Sequence, residues 1–513
     1  MKFLVALCAL VYVAVAAPFN DKIEKRLGVP IQAEIDCLDL ALNFSSDATD
    51  CQVFYLCGNG WPYIRRCPGD TVWSPADERC MGKYVAINDV CRYEAPDLPV
   101  EVTLTPEELD SAACYDPRFR CDGTVNCNDG NDEAGCAPAC DPAACRLPDC
   151  KCSNAEIPGG FLANEIPQMV LIGWDEALRV EDYNHLLQQI LKKVTPARRR
   201  EPRANPNGCP AVATFFTSHQ FTDYAAVQSL YSEGNEFAAH SITKKLPAEQ
   251  WALDSDAELS AEYSGQRVMF NNLAGVPPTA VKGVRSAYLQ TKGADYVKLM
   301  QEEGFAYDSS YPTDKMDPPY WPYTFDYQSS AGCPIPPCVT ESVPGMWEMP
   351  LVDWIDTNDT LCANVDSCYF PNDKAEAAQL LMSNFRRHYD SNRAPFTLNL
   401  RARWFLNDGY HNLEALQEFL DEIQENNDVY LVTYSQALAW IQNPVKLSNI
   451  GRSDVFACNY ADRTPLCEHP NLCGYHNITH EPNDEENQGD RFFQTCADCP
   501  AAYPWVDNPA GTA

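Results

Sequence analysis

Three sets of residues in this chain have types and spacings that could do chemistry. The run CDGTVNCNDGNDE, residues 121–133, concentrates hard oxygen ligands, which suits Ca²⁺; otherwise it is an acidic spacer. Phe54, Tyr55, Trp61, Tyr63 and Trp73 crowd between cysteines in a segment too small to hide them all. Exposed flat rings are what a sugar stacks on, with a minimal hydrophobic core as the other use. Further on, short apolar β-prone runs such as MVLIGWD, ATFFTSH, EFAAHS, FAYDSS, FTLNLRA and VYLVTY end in polar residues. Asp175, Glu176, His240, Arg285, Asp308 and Arg401 stand at or near such ends.

The elements that would position them follow from the same pattern. Helical stretches, Asp182–Lys193 and Leu413–Asn426 among them, lie between the apolar runs. Alternating strand and helix implies a parallel sheet, and about seven repeats favour a (β/α) barrel, whose working residues sit at the C-terminal ends of strands.

The chain has 513 residues, with 72 acidic against 38 basic side chains and a formal charge of −34. That charge repels polyanions, and the lone basic run Arg198–Arg200 carries no interleaved aromatics, so nucleic acid is not an expected partner. Hydrophobic residues at 45% exclude wholesale disorder. Residues 1–17 have the form of a secretory signal peptide: Lys2, an apolar run, then Ala14-x-Ala16. No later stretch is apolar enough for a membrane span, so a secreted protein is expected. Of the 25 cysteines, Cys8 leaves with the signal and an even 24 remain, as full disulfide pairing requires. Asn43, Asn358 and Asn477 begin glycosylation sequons. Cysteines crowd between Cys37 and Cys152 and thin out afterwards, as expected of small disulfide-dependent modules followed by a large domain.

Residues 36–93 resemble a peritrophin-type chitin-binding domain, matching its six cysteines, the Tyr55-x-Cys57 step and the Cys67-Pro-Gly pair. The resemblance implies chitin as ligand, with Tyr55, Trp61 and Trp73 as contacts and no catalysis. After a linker at 94–113, residues 114–136 resemble the C-terminal half of a low-density-lipoprotein receptor class A repeat. That implies Asp122, Asp132 and Glu133 as side-chain Ca²⁺ ligands, with carbonyls of Phe119 and Thr124. Asn126 replaces an Asp, and the repeat's first two cysteines are missing. The implied pairing is then Cys114–Cys127 beside Cys121–Cys136.

Residues 140–450, with a cysteine-rich extension at 451–513, resemble an animal chitin deacetylase: CDPAACRLPDCKCS, NPNGCPAVATFF, WPYTFDY, MWEMP and NRAPF carry the likeness. The whole order is similar to arthropod members. It implies a multidomain protein whose large part is a distorted (β/α) barrel of polysaccharide deacetylase type. In active members a divalent ion such as Zn²⁺, held by one carboxylate and two imidazoles, polarises the amide and activates water, while a second carboxylate and a histidine move protons.

Three of the four family motifs are altered here. Family T-F-D-D becomes Gly173-Trp174-Asp175-Glu176, which implies Asp175 as base and Glu176 as metal carboxylate. Family H-[ST]-x-x-H becomes His240-Ser-Ile-Thr-Lys244. Arg285-Ser-Ala-Tyr288 keeps the arginine that holds the base, and Arg401 stands for the final histidine. An ammonium has no lone pair to give a metal. A Lys⁺ about 4 Å from a divalent ion at an effective dielectric near 20 costs on the order of 8 kcal/mol. Arginine cannot act as the acid near neutral pH, and losing that acid alone costs roughly 10²–10⁴ in rate. The expected function is a chitin-binding component of cuticle or peritrophic matrix, with matrix proteins as further partners and a barrel in which deacetylation is lost or weak. The alternative is a working metal-dependent chitin deacetylase.

Overall fold

A computed structural model describes the backbone of five strands in residues 44–82. It describes residues 121, 125, 127, 130–194, 200–406, 410–479 and 488–513 in the remainder. The chain divides into two compact units, 1–104 and 105–513.

In the first unit, β1 (Phe44–Ser46), β2 (Val53–Gly58) and β3 (Trp61–Arg66) form an antiparallel sheet, and β4 (Thr71–Ser74) pairs with β5 (Arg79–Gly82). Tyr55, Trp61 and Trp73 lie on β2, β3 and β4.

The second unit is built on β6 (Gln168–Asp175), whose eight residues are all buried, so its apolar run is unbroken as a strand covered on both faces requires. Parallel neighbours continue through β7 (Thr214–Thr217), β8 (Glu236–Ala239), β9 (Gly283–Val284) and β10 (Tyr307–Asp308). The antiparallel edge strand β11 (Tyr323–Thr324) pairs with β12 (Trp347–Glu348), which is parallel to β10. On the other side, β14 (Phe396–Leu400) and β15 (Val429–Leu431) both pair with β6. The ladder does not close between β11 and β14, and β13 (Leu351–Val352) packs against β14 across that gap. The sheet is therefore a curled, open (β/α) half-barrel.

Its interior is filled by Met169, Leu171, Phe216, Tyr307, Trp347 and Tyr434, and a larger cluster lies between sheet and helices. The helices are α1 (Tyr224–Ser232), α2 (Asp256–Ala274), α3 (Ala294–Glu302), α4 (Lys374–Tyr389), α5 (His411–Ile423) and α6 (Tyr434–Gln442). Ser255 and Glu258 form a capping box on α2, and Thr433 and Gln436 form one on α6.

The helix expected over 182–193 is interrupted. Val180–Asp182 and Gln188–Ile190 flank a π-turn at Tyr183–Leu187, and Lys192–Val194 is a strand. A hairpin of β16 (Asn471–Thr479) and β17 (Gln488–Thr495) closes the chain, held by Cys467–Cys496 and Cys473–Cys499. Cys209–Cys458 ties the loop before β7 to the extension.

Candidate active site

The parallel strands deliver their last residues to one end of the half-barrel. Asp175 ends β6, His240 follows β8, Arg285 follows β9 and Arg401 follows β14. Leu400 pairs with Trp174, which brings Arg401 to the height of Asp175.

Arg285 is fully buried and every arm of its guanidinium is used. Nε donates to the Ser309 carbonyl (2.7 Å). Nη1 binds the Asp175 carboxylate and Asn399 Oδ1. Nη2 donates to Ser309 Oγ (2.8 Å) and the Tyr434 hydroxyl (3.2 Å). The Phe216 ring backs it at 3.7 Å. Asp175 is 2% exposed. Burial works against its charge, but Arg285, helped by His240, Arg401 and Lys244, holds its carboxyl below the usual range.

His240 donates from Nδ1 to the Arg285 carbonyl (3.0 Å), which leaves the lone pair on Nε2. Burial first, then Lys244, pushes its pKa down to about 3, so the ring is neutral. The loop after it is cradled by α2. Gln266 accepts from the His240 amide (2.8 Å) and donates to the Ser241 carbonyl (3.0 Å), while Glu262 accepts from the amides of Ile242 and Thr243.

Lys244 is half-buried, with a left-handed backbone at φ 48°. Burial pushes its ammonium down, Glu176 pulls it back up, and Arg401 adds to the fall. Arg401 Nη1 lies 3.6 Å from Asp366 Oδ2, and Arg401 Nε is buried without a partner. The end of the barrel thus gathers Asp175, Glu176 and Asp366 against Lys244, Arg285 and Arg401, three carboxylates and three cations.

This donor set does not fit the family's metal. Glu176 and His240 supply a carboxylate and one imidazole lone pair, but the third position is an amine, with Arg401 as a second cation beside it. Among the described residues, the single group bringing three donor atoms within 4.8 Å of one another is Cys140, Cys145 and Cys152. Those sulfurs are committed to Cys140–Cys152 and Cys145–Cys150.

Asp308 does not join the cluster, although its place at a strand end marked it as a candidate. It is buried among Glu348, Ser310 and Tyr296, and the two carboxyls hydrogen-bond each other. Burial pushes both up. Residues with no sequence signal complete the site: Asp366, Glu262 and Gln266 sit in no motif. Ser309, Asn399 and Tyr434 fall within apolar strand runs or beside them.

In the segment 121–136, Cys121 is bonded to Cys136. Cys127 is disulfide-bonded, while Cys114 lies outside the described residues. Asp132 accepts from the Cys127 amide (3.2 Å) and Glu133 from Gln328 of the barrel unit (3.0 Å). Phe119, Asp122, Thr124 and Asn126 also lie outside the described residues. His476, whose i, i+4 spacing with His480 would suit a metal pair on a helix, is instead on strand β16 and pairs with Asp490.

Chitin deacetylase 8 of Bombyx mori is 36% identical over 382 residues, covering 73% of this chain and 94% of that protein. The chain belongs to the chitin deacetylase family. Chitin deacetylase 1 of Bombyx mori is 32% identical over 479 residues, covering 87% of this family member and 85% of the relative. Residues 37–91 match the Chitin binding Peritrophin-A domain. The catalytic domain of a peptidoglycan N-acetylglucosamine deacetylase from Eubacterium rectale covers 57% of this deacetylase-family chain and 96% of its own, at 14% identity and a TM-score of 0.31. Among the described residues, no helix is long and apolar enough to cross a membrane.

Proposed function

We propose that this chitin deacetylase family member is a secreted, chitin-binding component of cuticle or peritrophic matrix whose barrel is catalytically impaired. Export rests on residues 1–17 and matrix residence on the chitin-binding module. The observation that carries the impaired reading is Lys244 beside Glu176, at the position where the family's second metal imidazole belongs. A cation there opposes a second cation, and Arg401, paired with Asp366, has no proton to give a leaving amine near neutral pH. The segment 114–136 is the place for Ca²⁺, with Cys114–Cys127 closing it.

The second reading, a working metal-dependent chitin deacetylase, is favoured by the Asp175–Arg285 pair and by the free lone pair implied at His240 Nε2. Incubating the full chain with Zn²⁺ or Co²⁺ and acetylated chitooligosaccharides separates the two. The impaired reading expects no acetate above the Asp175→Asn background, and release that vanishes in Asp175→Asn overturns it.

A further inference from the structure

A groove of about 520 Å³ is lined by Phe221, Leu472, Phe492, Arg179, Glu181 and Gln494. Part of its lining comes from the loops that leave the C-terminal ends of β6 and β7. Arg179 and Glu181 lie three and five residues past Glu176, and Phe221 lies in the loop that follows β7. The Asp182 carboxyl is pushed up to about 6, first by burial and then by both Glu176 and Glu181, so cleft and groove lie within electrostatic range of one group.

Two rings are presented there in ways a hydrophobic core would not need. Phe221 is 51% exposed and its backbone is left-handed at φ 68°, a conformation unfavourable for a bulky residue. The guanidinium carbons of Arg179 and Arg491 lie 5.7 and 5.2 Å from its ring centroid and brace it in place. Phe492 is 53% exposed and its ring lies across the hairpin over Gly474. A Cβ at Gly474 would stand 2.8 Å from that ring, so only glycine lets Phe492 lie flat. The strands beneath are tied down: two disulfides hold them, and the Gln494 amide donates to Asp223 (3.2 Å) at the start of α1.

Flat exposed rings beside hydrogen-bonding Arg179, Glu181 and Gln494 suit a ligand with apolar faces and a hydroxyl- and amide-bearing rim. A protein partner is less well matched, since the lining mixes both charge signs around two separate rings. We propose that this groove is a second sugar-binding site, holding an N-acetylglucosamine chain by stacking on Phe492 and Phe221 as it leaves the cleft. The C-terminal hairpin is then a wall of the substrate path. The proposal rests on chitin as the ligand of this protein and is independent of whether the barrel turns substrate over.

Calorimetric titration of the full chain with N-acetylated chitohexaose tests it. The first module is the same in every groove variant, so differences report on the groove. Wild type should show two classes of site. Phe492→Ala should weaken one class at least tenfold, Phe492→Tyr should stay within about twofold, and Gly474→Ala should weaken it by tilting the ring. Phe492 is outside the core, so an unchanged melting temperature accompanies the loss. The proposal is overturned if Phe492→Ala and Phe221→Ala bind like wild type. It is equally overturned if the only sites are those removed by Trp61→Ala in the first module. Acetate release plays no part in this readout, so its outcome leaves the impaired-barrel reading to its own assay.

Discussion

The Tyr288 hydroxyl donates to the Lys244 carbonyl at 2.8 Å while the Lys244 ammonium stands 5.7 Å from the Tyr288 ring centroid. Tyr288 closes the same motif that begins with Arg285, so the cation and the guanidinium holding the base are fastened to each other. Tyr288 thus holds the Lys244 backbone and lies along its side chain at the end of the half-barrel. Tyr288→Phe keeps the ring and removes the donor. It should lower stability by about 1 kcal/mol in chemical denaturation, and Tyr288→Ala should cost more because the cation–π contact goes too.

Arg285 and Asp175 form a buried ion pair, and the other protons of the guanidinium are also satisfied. Removing one partner leaves an uncompensated buried charge. Arg285→Ala should destabilise by about 3–5 kcal/mol, and Arg285→Ala with Asp175→Asn should recover part of that loss. Equal denaturation midpoints for Arg285→Ala and wild type would contradict the pairing.

A methyl at position 283 would stand 2.1 Å from the Tyr307 ring. Tyr307 is buried and donates to Glu236 at 3.0 Å, which also accepts from Ser435 and Thr214. Gly283→Ala should therefore cost about 1–3 kcal/mol by forcing that ring aside. The thermal midpoint reads it directly, and an unchanged midpoint would refute the close approach.

The strand ends are legible in sequence because an interior strand needs an unbroken apolar run, and the first polar residue after it marks where the run leaves the core. That rule finds Asp175, His240, Arg285 and Arg401. It misplaces Asp308, because a buried carboxyl can also be satisfied inside the core by a second carboxyl, here Glu348 from a strand 40 residues on. Asp366 leaves no trace, since its role comes from a loop meeting β14 in space. The helix over 182–193 misreads in the same way: its polar–apolar spacing fits 3.6 residues per turn, but Lys192–Val194 finds a strand partner in Arg200–Pro202. Gln266 and Glu262 look like ordinary helix residues, and only the fold shows them capping the His240 loop.

His388 is buried with Nδ1 on the Ala394 carbonyl (2.9 Å), and burial pushes its pKa down to about 4. The unfolded chain takes up this proton near pH 6.5, the folded chain only near 4. Its contribution to stability is thus full above about pH 6.5 and falls as pH drops toward 4, by about 1.4 kcal/mol per pH unit at most. Asp353, raised to about 7 by burial and then by Asp314, works in the opposite direction, because its folded form holds a proton the unfolded form has lost. The comparison of wild type with His388→Asn cancels that term. The variant's stability loss should be largest above pH 6.5 and shrink toward pH 4; a loss independent of pH would contradict the buried neutral ring.

We propose that Lys244 takes the place of a metal-binding imidazole and leaves the cleft without resident zinc. Zinc titration against a competing chelator tests this most directly, using the full chain, Lys244→His and His240→Asn. The account predicts no zinc site in wild type that His240→Asn removes, and a new equivalent in Lys244→His that a further His240→Asn abolishes. A wild-type protein that binds one zinc at micromolar affinity or tighter, and loses it in His240→Asn, would contradict it.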